Sequence, residues 1–180
     1  MDLGSGVGRN AIPIAQMIGK SGGEIICVDY LDVAIDKLHE YIELYNVSKY
    51  ITGIFSSLED FVINPDDYDF IIAHSVLTHM ENKEKMIQTM KDMAKVTKKN
   101  GFVYMYVITN HREFDRKTGK EQKLEDEVEI GFDEACSFLK NIYSGWTILA
   151  LKKHPYEETF NRRGKEIRWN VDYLLFIAKK

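Results

Sequence analysis

One stretch limits what this chain can fold into more than any other: Met1-Asp2-Leu3-Gly4-Ser5-Gly6-Val7-Gly8-Arg9-Asn10. It reads as the end of a strand, a glycine-rich turn and the start of a helix. Glycine turns the backbone tightly with positive φ and leaves no Cβ in the path of a ligand. The helix that follows aims its unpaired N–H groups at the same spot. A turn of this kind belongs at the carboxyl end of a parallel sheet, where α/β folds bind nucleotide-like ligands. The plain alternative is a tight strand–helix turn without a ligand, with Asp2 as a strand cap.

Spacing separates two cofactor classes. The dinucleotide fingerprint G-x-G-x-x-G, started from Gly4 and Gly6, needs its third glycine at position 9, which is Arg9. Here the third glycine is Gly8, and an acid, Asp2, sits two residues before Gly4. Asp29 then ends the apolar run Ile25-Ile26-Cys27-Val28, about 20 residues on, where a carboxylate that holds ribose hydroxyls is expected. The pattern D-x-G-x-G-x-G resembles motif I of the class I S-adenosylmethionine-dependent methyltransferases.

Composition narrows the partners. At 180 residues with 44% hydrophobic and 29% charged side chains, the chain suits one soluble domain, residues 1–180, with a proper core. A net charge of -4 leans away from nucleic acid, which draws on concentrated Lys and Arg, and toward a small-molecule substrate. The two cysteines, Cys27 and Cys136, sit in no C-x-x-C or Cys/His cluster, so no metal site is expected. Reduced thiols, no leader and no apolar run of membrane-spanning length make a cytoplasmic protein with no membrane partner the expectation.

Taken in order, the chain alternates strand and helix signals. Only three residues precede the glycine turn, fewer than the roughly five of a central strand, so a truncated first strand without an N-terminal cover segment is expected. A helix over residues 10–18 follows, N-capped by Asn10 with Pro13 in its first turn, and buries Ile14, Ala15, Met17 and Ile18. Strand 24–28 and a helix capped by Asp32 come next. That helix carries Ala34, Ile35, Leu38, Tyr41, Ile42 and Tyr45 at core spacing and a solvated His39. Strand 50–55, a polar turn at 64–67 and strand 68–73 lead to a helix over 82–98, N-capped by Asn82, with Met86, Ile87, Met90, Met93 and Ala94 in one stripe. Strand 102–108 runs into residues 109–129, a charged stretch of mixed sign that reads as a solvated lid beside the active site. Helix 132–143, strand 146–152, a turn region over 154–164 and strand 167–178 close the chain as a hairpin.

The resemblance covers essentially the whole chain and implies a Rossmann-like, doubly wound, mostly parallel sheet with a C-terminal antiparallel hairpin. It implies S-adenosyl-L-methionine as cofactor, with Asp2, Gly4, Ser5 and Gly6 at the methionine portion. Asp29 would hold the ribose, and Tyr30 would lie against the adenine. Ser57 falls where the family carries an acid for the adenine amino group, a departure that removes a charge, and Leu58 would offer its backbone N–H to the ring. Tyr68-Asp69-Phe70-Ile71-Ile72-Ala73-His74 and its continuation to His79 resemble motif IV. That places His74 at the methionine end, while His79, one turn further, faces substrate or caps a helix. His111 is the candidate substrate-facing base. G-V-G-R-N-A-I, Tyr143-Ser144-Gly145-Trp146 and Gly164-Lys165-Glu166-Ile167-Arg168 look like the tellurite-resistance methyltransferase group. The His-Arg pair expected in that group's last hairpin is replaced near Glu158 and Thr159, so tellurite activity does not carry over.

Methyl transfer to a small nucleophile is the expected function. Aligning an already activated donor with its acceptor is most of that chemistry, so no conspicuous catalytic constellation is required. Two other readings stay open: a nicotinamide-dependent oxidoreductase, which the glycine spacing disfavours, and an inactive methyltransferase-fold protein serving as a binding or homodimerisation module.

Overall fold

Apolar periods of two and of 3.6 residues alternate along the first half of the chain, and the structure turns them into strands flanked by helices. A computed structural model describes residues 1–63, 68–124 and 128–180; the polar turn expected at 64–67 lies outside them. The strands are β1 (Asp2–Leu3), β2 (Ile25–Asp29), β3 (Ile51–Phe55), β4 (Tyr68–His74), β5 (Thr97–Asp115), β6 (Thr147–Arg162) and β7 (Lys165–Lys179). The helices are α1 (Ala11–Ile18), α2 (Asp32–Leu44), α3 (Lys83–Val96) and α4 (Phe132–Ile142), with short 3-10 turns at Gly19–Ser21 and Leu77–His79.

The sheet runs β3-β2-β1-β4-β5-β7-β6. Pairing is parallel from β3 across to β5 and antiparallel where β7 meets β5 and β6. This is the doubly wound sheet with an antiparallel hairpin that the sequence resemblance implies. The chain winds one way through β1, β2 and β3, then returns to place β4 on the other side of β1. The switch point therefore lies between β1 and β4, where such folds bind ligands.

Two cores hold the layers. Ala11, Ala15, Ile25, Cys27, Ile35, Leu38 and Ile51 pack α1 and α2 onto one face. Met90, Met93, Met105, Leu139, Tyr143, Leu174 and Phe176 pack α3 and α4 onto the other. The Tyr143 hydroxyl donates to the Met90 carbonyl at 2.9 Å, which lets that ring be buried without an orphaned O–H. Asn82 caps α3 as its spacing predicts, its side chain accepting the Lys85 N–H at 2.9 Å.

Several local expectations change. Asn10 sits at the start of α1 without capping it, and the buried stripe is Ala11, Ile12 and Ala15, leaving Met17 70% exposed. The stripe begins in the helix's first turn because that turn lies directly against the sheet. Leu31, not Asp32, is the cap residue of α2, and Tyr45 is exposed.

The largest change is in the second half. The segment expected to leave the sheet as a lid continues β5 to Asp115, and the turn region expected over 154–164 is the continuation of β6. A two-residue turn at Arg163 and Gly164, with φ of 52° and 81°, reverses the chain into β7. Both central residues in the left-handed region match the tight hairpin turn that suits twisted strands. Asn161 Oδ1 accepts the Gly164 N–H at 2.9 Å and fastens it.

Candidate functional site

Asp2 and Leu3 are fully buried between β2 and β4, with Asp2 opposite Cys27 on one side and Ile72 on the other. Immediately beyond them the turn at residues 4–8 opens onto the switch point. Gly4 N–H and Ser5 N–H both donate to the Val28 carbonyl, at 2.8 and 3.1 Å, which draws the turn against the end of β2.

The glycines divide the labour. At Gly4, with φ +66°, a Cβ would lie 2.3 Å from Val76 Cγ2, so this glycine is demanded by packing. At Gly6, with φ +53°, a Cβ would meet nothing within 4 Å. Of the three turn glycines only Gly6 faces open space, as close approach of a ligand to backbone requires.

Asp29, at the carboxyl end of β2, completes the rim. Its Oδ2 accepts the Gly6 N–H at 2.8 Å and its Oδ1 accepts the Leu31 N–H at 3.0 Å. An ionised carboxylate accepts about four hydrogen bonds, so each oxygen keeps capacity for a further donor. Two donors from vicinal hydroxyls fit that remainder. Tyr30 beside it is 59% exposed and Leu31 44% exposed, an apolar lip.

Asp2 and Ser5 lie beneath the turn rather than on its open side. Both are buried, and neither Asp2 oxygen nor the Ser5 hydroxyl has a hydrogen-bond partner. The Asn10 amide and the Ala11 N–H face the Asp2 carboxyl closely enough to favour its charge, but without hydrogen-bond geometry. Burial dominates and pushes this carboxyl up to about 7. Buried polar atoms without partners are rare in folded proteins.

The adenine side differs from expectation in detail. Ser57 Oγ donates to Asp60 Oδ2 at 2.9 Å and accepts the Asp60 N–H at 3.2 Å. It closes its own turn instead of presenting a hydroxyl to the crevice. Leu58 is half-buried against the larger core. Glu59 reaches across to accept the Glu81 N–H at 2.9 Å, so the loop after β3 is tied to the loop after β4.

His74 ends β4 on the switch-point side. Its Nδ1 is 3.2 Å from the Tyr104 hydroxyl, and its ring stacks on Tyr106 with centroids 4.9 Å apart. Burial, helped by the nearby Arg9 guanidinium, holds the imidazole below the usual histidine range. Ser75 follows with φ 54°, a conformation few non-glycine residues adopt, while its N–H donates to the Tyr106 carbonyl at 2.7 Å. Arg9, Ser75, Tyr104 and Tyr106 are site neighbours that the sequence reading missed. Period-two alternation along β5 is the signal that would have paired the two tyrosines with His74. His79 is exposed at the end of its 3-10 turn.

His111 is a correction. It is not on a lid: it lies in β5, past a break in register between Thr109 and Arg112. Its side chain is 8% exposed, its Nε2 accepts the Trp169 indole N–H, and the same nitrogen lies 3.3 Å from Glu113 Oε1. Glu113 is held by Arg162 through two bonds of 2.8 and 2.9 Å. Sheet pairing wins over the loop-like charge pattern of the sequence and sets His111 in the hairpin.

With this geometry in view, a family model described as "Methyltransferase domain" matches residues 1–163. The chain belongs to the methyltransferase domain family. Mouse and human arsenite methyltransferases are 26% and 24% identical over 113 residues, 58% of this chain and 29% of each relative. The chain thus spans under a third of the length of the curated relatives it matches. Among solved structures, TehB from Haemophilus influenzae aligns with 99% of this chain and 57% of its own, at TM-score 0.75 and 20% identity. YcgJ from Bacillus subtilis covers 99% and 90%, at TM-score 0.69 and 13% identity. At those identities the structures bear on the fold of this methyltransferase domain. Among its described residues, no helix is long and apolar enough to cross a membrane.

Proposed function

We propose that this domain binds S-adenosylmethionine across the switch point and transfers its methyl group to a small-molecule acceptor. The observation that carries the reading is the shared rim of β1 and β2, where Asp29 clamps the Gly6 N–H at 2.8 Å and keeps free acceptor capacity. Open space at Gly6 and the orphaned Asp2 carboxyl beneath it fit a ligand that brings both hydroxyls and a cationic end. The bound donor supplies a methyl group already activated by its sulfonium.

The chain's own residues bind, orient and exclude water. Asp29 holds the ribose hydroxyls, Tyr30 and Leu31 cover the adenine, and the turn N–H groups with the α1 N-terminus face the methionine portion. Asp2 acts from below, fixing the turn's electrostatics. His74, largely neutral at physiological pH, stands at the methionine end with an available lone pair. Correct placement of donor and acceptor is the main source of acceleration here.

Arsenite, the acceptor named for the curated relatives, fits poorly. Soft arsenic calls for thiolates, and the two cysteines are buried with their thiols pushed up by burial, Cys27 to about 12. The two free thiols are in keeping with a reducing, cytoplasmic setting.

Calorimetric titration with S-adenosylmethionine and its demethylated product, with nicotinamide cofactors as controls, tests the proposal. Selective binding near micromolar, about −8 kcal/mol, is expected. Replacing Asp29 by Ala should weaken it by about 100-fold, since charge-assisted bonds are the strong ones. Equal binding by the parent and Asp29→Ala would sink the assignment.

A further inference from the structure

The face of the hairpin that continues from His74 carries a row of aromatic side chains that the donor site does not use. Register explains it. His154, Tyr156 and Glu158 alternate along β6 opposite Tyr173, Val171 and Trp169 of β7, so all six share one face. Tyr106 of β5 joins them, stacked on Tyr173 with centroids 4.6 Å apart and on His74 at 4.9 Å. Tyr156 and Tyr173 each meet Trp169 edge to face, at 5.8 and 6.1 Å, and lie tilted to each other at 5.9 Å. Above them lies a shallow cavity of about 390 Å³, lined by Tyr106, His154, Tyr156, Glu158, Trp169 and Tyr173.

Charge decides what such a bowl would hold. Ring faces are electron-rich and attract cations. Glu113, on the same face, is neutralised by Arg162, while Asp172 and Lys153 pair on the opposite face. Glu158 is different: its Oε2 accepts the Tyr156 hydroxyl at 2.7 Å, and among the described residues no cation pairs with it. A cation would answer that carboxylate as well as the ring faces.

We propose that this aromatic bowl binds an organic ammonium ion, and that it is the acceptor subsite, one ring away from His74. The acceptor role rests on the donor reading given above. An amine that has released its proton to solvent presents a nitrogen lone pair. That pair bonds the methyl carbon while the carbon–sulfur pair stays with sulfur, and the nitrogen ends as a cation one methyl larger. The same bowl therefore suits the product.

Choline and its neutral isostere 3,3-dimethylbutan-1-ol are the probes, titrated by calorimetry and by the tryptophan fluorescence of the intact chain, to which Trp146 and Trp169 contribute. Choline should bind, and the isostere at least about tenfold more weakly. Glu158→Gln and Tyr156→Leu, both at exposed positions, should each weaken choline severalfold while leaving the thermal unfolding midpoint in place. No choline binding, equal binding of the isostere, or an unchanged affinity in Glu158→Gln would each overturn the proposal. S-adenosylhomocysteine titrated separately keeps the two readings apart. Its binding without choline binding removes only the bowl, and choline binding without it removes only the donor site.

Discussion

The rim around Asp29 and the hairpin around Glu113 both bury charge, and they manage it in opposite ways. In the hairpin the buried charge is answered: Arg162 grips Glu113 with two bonds, and His111 meets Trp169. At the rim, Asp2 and the Ser5 hydroxyl are buried with no partner, and Ser75 holds a strained backbone. A satisfied network stabilises a fold, whereas unsatisfied polar atoms at a switch point keep a place for something else. The contrast teaches that the two regions should respond differently to mutation: the hairpin in stability, the rim in binding.

Arg162→Met breaks the satisfied side. It strands the Glu113 carboxylate, whose side chain is 2% exposed, and should cost about 3 kcal/mol, the low end for a buried pair because Arg162 itself reaches water. Urea unfolding measures this. Donor affinity should stay within about twofold on the separation of the sites, and a large loss of affinity would merge the two regions.

Gly4→Ala attacks the rim through packing. A methyl group 2.3 Å from Val76 at φ +66° should cost about 2–4 kcal/mol. Denaturation and S-adenosylhomocysteine titration should both register it.

Asp2→Asn should do the reverse and stabilise. The folded state holds the Asp2 proton up to about pH 7, while an unfolded aspartate releases it near pH 4. Stability contributed by this group is therefore full below about pH 4 and is lost as pH rises toward 7. The substitution should flatten that slope and gain up to about 4 kcal/mol at pH 8, at the expense of donor affinity. Melting temperatures from pH 4 to 8 decide it; an unchanged slope would mean the carboxyl is not the origin.

Gly6→Ala gives the smallest effect and the sharpest separation. Nothing lies within 4 Å of the added methyl group, so folding should lose only the backbone strain of about 1–2 kcal/mol. Donor binding should fall more than that strain accounts for, since the methyl group occupies the ligand's approach. A fall no greater than in stability would show that no ligand comes close there.

Which parts were legible follows from the range of the forces involved. The turn and Asp29 could be read because local backbone geometry restricts residue type at fixed spacing. The helices could be read from the apolar stripes of α2 and α3, and the Asn82 cap from its own local bond. The 3.6-residue period did mislead at Met17 and Tyr45, where which face meets the sheet depends on the neighbouring layer.

The charged residues 109–115 carry no strand signal of their own, yet they pair with β7 across nearly sixty residues of sequence. His111 accordingly lies in the hairpin. The sequence by itself determined the glycine turn, the carboxylate at the end of β2 and the alternation of strand and helix along the first half, because each rests on contacts within a few residues. Only the tertiary structure decided the length of the hairpin, the inward placement of Asp2 and the row from His74 to Glu158. Those depend on register and burial, which arise when distant strands are brought side by side.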